Sequence, residues 1–117
     1  MKIPKKIVIL GQQFKVYTTH NLPKVGGYYD MRRSTIELSI KNMWPCEINE
    51  AFLHEIIEII LVKRGVGIFN EKKWGSYGRI FQLWHSPKAD PPADTFTAFI
   101  VDFIDTIKRN KLEGLFK

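Results

Sequence analysis

Apolar residues alternate with polar ones as far as Ile40 and recur at helical spacing from Pro45 onward. This one change of period confines the chain to strands followed by helices. Ile7 to Leu10 and Phe14 to Thr19 are rich in β-branched and aromatic residues and flank Gly11-Gln12-Gln13, which predicts a first hairpin. Val25 to Asp30 and Thr35 to Ile40 flank Met31-Arg32-Arg33-Ser34 and predict a second. Ile36, Leu38 and Ile40 alternate with Glu37 and Ser39, so one face is buried and the other wet. Gly26-Gly27 marks a bulge or a close approach of the backbone to a neighbouring element. The expected arrangement is an antiparallel β-meander.

Pro45 suits a first helical turn, Glu47 and Glu50 suit the positive end of the helix dipole, and Lys63 and Arg64 suit the negative end. A helix over about 46–64 follows, with Gly65 as its cap. Gly65 to Gly78 reads as a loop, and Tyr77, Ile80, Phe81 and Trp84 fit a short helix or a strand. Ser86 to Asp94 is a proline-rich break ending at Asp94, a good N-cap. Phe96, Phe99, Ile100, Phe103, Ile104 and Ile107 then follow the i, i+3, i+4, i+7 rule of a core-facing stripe. The fold class is α+β. With 117 residues and no internal repeat, residues 1–117 form one domain: the β-meander packed on the first helix and on a C-terminal amphipathic helix.

Cys46 is the only cysteine, which excludes an intrachain disulfide and a cysteine-based zinc finger. The run Ile56 to Val62 contains Glu58 and is far short of the ~20 residues of a membrane span. Ile7 to Leu10 is too brief for a secretory signal, so a soluble, cytoplasmic protein with no membrane association is expected. The net charge of +6 is unevenly spread: residues 1–44 carry eight basic groups against two acidic ones, and the remainder ten against ten. Such an excess attracts nucleic acid or an acidic protein, or it simply solvates strand edges. Trp74 and Tyr77 beside Lys72, Lys73 and Arg79 suit base stacking or core packing.

The first helix contains His54-Glu55-Ile56-Ile57-Glu58. At 100° per residue, His54 and Glu58 lie about 40° apart and one turn removed, as two ligands of one metal must. Glu55 flanks them, placed to serve as a general base beside a metal. The alternative is a polar stripe, since Glu47, Glu50, His54 and Glu58 share a side of the helix. The neighbouring apolar positions Phe52, Leu53, Ile56, Ile57, Ile59 and Ile60 instead describe a helix buried on most sides with a polar notch. A catalytic site needs a third protein ligand. His85, before the break that leads into the last helix, is the better candidate; His20 lies at a strand end. Capping accounts for Asp94, and solvent for Asp102 and Asp105.

The two hairpins with Val25-Gly26-Gly27-Tyr28-Tyr29-Asp30 and Thr35-Ile36-Glu37-Leu38-Ser39-Ile40, the helix with Phe52-Leu53-His54-Glu55-Ile56-Ile57-Glu58-Ile59-Ile60, the Leu83-Trp84-His85 element and the final amphipathic helix together resemble the small zincin-like proteins of bacteriophages and prophages. These are similar to the ImmA/IrrE and SprT metallopeptidase groups. The likeness runs from about Ile7 to Asn110. It implies a minimal zincin-like fold, Zn2+ as cofactor, His54, Glu58 and His85 as its ligands, and Glu55 as catalytic base in a zinc-dependent metallopeptidase. Its substrate would be a protein or peptide, held in extended form along Thr35 to Ile40 as an edge strand. Two features depart from the pattern. Glu58 stands where most zincins have His, which weakens the Lewis acid and suits a slow or vestigial peptidase, and Ser86 to Asp94 looks like an insertion after the third ligand. The competing expectation is a non-catalytic zincin-fold module whose basic sheet docks an acidic protein or, weakly, nucleic acid. The compartment would be the cytoplasm, the host's if the chain is phage-encoded.

Overall fold

The computed structural model describes residues 2–20, 26–41, 43–64 and 92–116. Its first hairpin is made of β1 (Lys6–Ile9) and β2 (Gln12–Thr19). The turn is two residues, Leu10 at φ 47° and Gly11 at φ 84°. Two positive φ values give the turn a twist that matches the strands it joins. Gln12 and Gln13, expected in the turn, therefore belong to β2. The second hairpin joins β3 (Gly27–Asp30) to β4 (Thr35–Ser39). The Asp30 carboxylate accepts from the backbone N–H groups of Arg32 at 2.9 Å and Arg33 at 3.1 Å, and Ser34 takes φ 54° to complete the reversal. Gln12 reaches across from β2 and donates to Ser34 Oγ at 2.8 Å, locking one hairpin to the other.

The sheet order is β1-β2-β4-β3. Both hairpins are antiparallel, but β2 and β4 run parallel, with Val16 beside Ile36 and Thr18 beside Leu38. The sheet is thus mixed and is not the expected all-antiparallel meander. Burial explains the exchange. Ile36, Leu38 and Ser39 of β4 are all buried, so β4 takes the interior position, whereas the glycine-led β3 sits at the edge. Consequently Thr35 to Ile40 is not an edge strand and cannot add a peptide by main-chain pairing.

Helix α1 (Pro45–Lys63) packs across this sheet with Phe52, Ile56, Ile59 and Ile60 fully buried against Ile7, Ile9, Phe14, Ile36 and Leu38. Pro45 opens it, and Glu47 Oε2 accepts from the Trp44 N–H at 2.8 Å. Helix α2 (Pro92–Arg109) begins two residues before Asp94, which lies inside the first turn instead of capping it. Its core face is rotated from the expected stripe. Phe99 and Ile107 are buried, as are Asp102 and Thr106, whereas Ile100 and Ile104 face solvent. The rotation has a partner: Arg64, at the end of α1, donates its Nε–H to Asp102 Oδ2, so Asp102 is a buried tie between the helices and not a solvated group. That hydrogen bond holds the Arg64 guanidinium above its ordinary pKa.

Beyond α2 the chain closes in a two-bond reversal, Leu112 N–H to Ile107 C=O at 2.9 Å and Lys111 N–H to Lys108 C=O at 3.2 Å, with Lys111 at φ 55°. Leu112 and, in the 3-10 turn Glu113–Phe116, Leu115 complete the core. Asn110 acts as a one-residue strand: its amide accepts from Val8 N–H and donates to Val8 C=O, both at 2.8 Å, closing the β1 edge. Among the described residues no helix is long and apolar enough to cross a membrane.

Candidate metal centre

One helix supplies the whole described cluster. His54, Glu55 and Glu58 each offer a ligand atom, and these atoms lie within 4.8 Å of one another. The helical azimuths dictate their burial. Taking His54 as zero, Glu58 lies about 40° round the helix and Glu55 about 100°, toward the sheet. Accessibility follows that order: the His54 side chain is 65% exposed, that of Glu58 is 19% exposed, and Glu55 as a residue is 4% exposed. The polar notch expected around a buried His54 is therefore built differently. The imidazole is on the wet rim, and the buried group is Glu55.

Glu55 is covered by β3. A Cβ added at Gly27 would lie 3.6 Å from Glu55 Cγ, 2.9 Å from Leu38 Cδ2 and 2.7 Å from the Glu37 carbonyl oxygen. At Gly26 it would lie 3.2 Å from Ala51 Cβ. The Gly26-Gly27 pair thus marks a close backbone approach, and what it approaches is α1 at the level of the cluster. Sequence reasoning had the signal without its target. Glu55 Oε2 is buried and accepts no hydrogen bond, although the residue makes another polar interaction.

His54 Nε2 lies 3.4 Å from Glu58 Oε1. This is longer than an ordinary N–H···O hydrogen bond, whose range is about 2.7–3.2 Å. It matches the separation of two ligands on one tetrahedral ion: donors at ~2.0–2.2 Å from zinc sit about 3.4 Å apart. One imidazole and two carboxylates also form a donor set that zinc accepts, and the exposed side of His54 leaves an approach for a further ligand or a substrate. The residues fit a divalent metal of this kind.

The structure brings together His54, Glu55 and Glu58. His85, expected as the third ligand, lies outside the described residues, as do Lys72, Lys73, Trp74, Tyr77, Arg79 and the side chain of Asp94. His20 is exposed just beyond β2. No known protein family, curated protein or solved structure matches the chain.

Proposed function

We propose that the chain is a zinc-dependent hydrolase of peptide bonds, of the zincin-like kind and of phage or prophage origin, acting in the cytoplasm of the host. The observation that carries this reading is the convergence of His54, Glu55 and Glu58 on one helix flank, with the His54 to Glu58 spacing of two ligands on a single ion and Glu55 beside them. His54 Nε2 and Glu58 Oε1 hold the metal, with His85 completing the set. Zinc, when bound, polarises a scissile carbonyl and makes water a nucleophile near neutral pH.

Glu55 is the general base. Its side chain lies beside the ligands with the Gly27 backbone packed close to it, and in this role the carboxylate accepts a proton from water and returns it to the leaving amine. A carboxylate ligand in place of a second imidazole lowers the charge of the centre by one, which favours a slow enzyme. The extended peptide belongs on β3, since that edge strand overlies Glu55.

Metal content after expression in zinc-supplemented medium tests the reading. We expect about one zinc per chain in the wild type, lost in both His54→Ala and Glu58→Ala, because one tetrahedral ion needs both donors. Equal and negligible zinc in all three proteins would sink it.

A further inference from the structure

Four of the eight basic groups in residues 1–44 line one groove. This groove, of about 640 Å³, lies where the N-terminal arm leaves the sheet, and among the described residues it is lined by Lys2, Lys5, Lys6 and Lys15 and by no carboxylate. Among the described residues none of these four lysines forms an ion pair. Lys6 and Lys15 stand directly opposite each other across β1 and β2. Like charges in that position repel, and an anion between them relieves the repulsion.

The backbone beneath the lysines is also poised for pairing. Hydrogen bonding between β1 and β2 ends at the bond from Val16 N–H to the Lys5 carbonyl, at 2.8 Å. β2 runs on to Thr19, joined on its other side to β4 as far as Thr19 beside Ser39. Lys15 N–H bonds toward β4 at Ser34, so the period of two aims Val16 and Thr18 the other way. Thr18 therefore presents its N–H and C=O to the groove, where β1 no longer runs. Ile3, Val16, Ile40 and Ile48 give the same groove an apolar wall.

We infer that this groove binds an extended acidic peptide segment of another protein. The segment pairs its main chain with Thr18, sets carboxylates among the four lysines and lays an aliphatic side chain on the Ile40 and Ile48 wall. Single-stranded nucleic acid fits less well. Binding of that kind relies on successive aromatic platforms, and among the described residues the only aromatic one lining the groove is Tyr17.

Fluorescence anisotropy of a labelled peptide alternating Glu with Val, titrated with the full chain in the presence of a chelator, tests the inference independently of any bound metal. Binding should weaken about tenfold or more when Lys2, Lys5, Lys6 and Lys15 are all changed to Gln, and when every Val of the peptide is changed to Ser. Undiminished binding in either case overturns the proposal, and so does tighter binding of a thymidine oligonucleotide of equal charge. A readout that needs no variant is the amide spectrum of the wild-type protein. Added peptide should shift residues 2–6, 15–18 and 48, and shifts confined elsewhere would overturn the assignment.

Discussion

Among the described residues two carboxylates are buried, and their surroundings differ in kind. Asp102, 8% exposed, receives the guanidinium of Arg64, a cation that the chain itself provides at the end of α1. Glu55, 4% exposed, lies among another carboxylate, a solvent-facing imidazole and the bare backbone of Gly27. Burying a carboxylate is costly unless a partner answers its charge. At Asp102 the answer is structural and ties two helices together. At Glu55 the groups gathered around it, His54 and Glu58, are of the kind that could hold a metal. Similar burial thus serves a lock in one place and a candidate centre in the other, and the neighbours distinguish them.

The contrast breaks most sharply on Glu55→Gln. The amide keeps the volume and removes the base, so zinc content should stay near that of the wild type while peptide hydrolysis falls by about 10²–10⁴-fold. Loss of zinc on the same scale as in His54→Ala would make Glu55 a ligand, and the roles assigned here would have to change.

Gly27→Ala comes next. Its new methyl group meets the Glu37 carbonyl oxygen at 2.7 Å and the Leu38 side chain at 2.9 Å, so β3 must lift from α1. We expect a loss of about 2–3 kcal/mol in urea denaturation, together with a fall in peptide hydrolysis as Glu55 is released, zinc content staying near that of the wild type. Unchanged stability would show that β3 does not clamp the cluster.

Asp102→Ala should cost less, about 1–2 kcal/mol, because the Arg64 side chain is 43% exposed and water takes over part of its solvation. It should leave zinc content untouched. A double-mutant cycle with Arg64→Ala measures the coupling; strictly additive losses would mean that the pair contributes nothing as a pair.

The smallest effect provides a reference outside both carboxylates. Lys111 sits at φ 55° at the reversal after α2, a conformation that favours glycine. Lys111→Gly should raise stability by about 0.5–1 kcal/mol, read as a higher urea midpoint, with neither metal content nor hydrolysis altered.

The sequence by itself determined the α+β class, both hairpins, and α1 to within a residue or two at each end, because the apolar period and the turn and cap residues act over a few neighbouring positions. It also determined that His54, Glu55 and Glu58 share a helical flank, since an i, i+4 spacing has one geometry. Tertiary structure alone decided the rest. Which strand takes the interior is a competition for burial among all four strands, and Ile36, Leu38 and Ser39 won it for β4, producing a parallel pairing that no local pattern encodes. The face that α2 buries was fixed by Arg64, 38 residues away from Asp102 in the chain. Whether His54 or Glu55 lies inside depended on where β3 settles, and that depended on two glycines whose missing side chains let its backbone reach α1. Contacts between residues remote in sequence have no period to read, so they emerge only when the whole core closes.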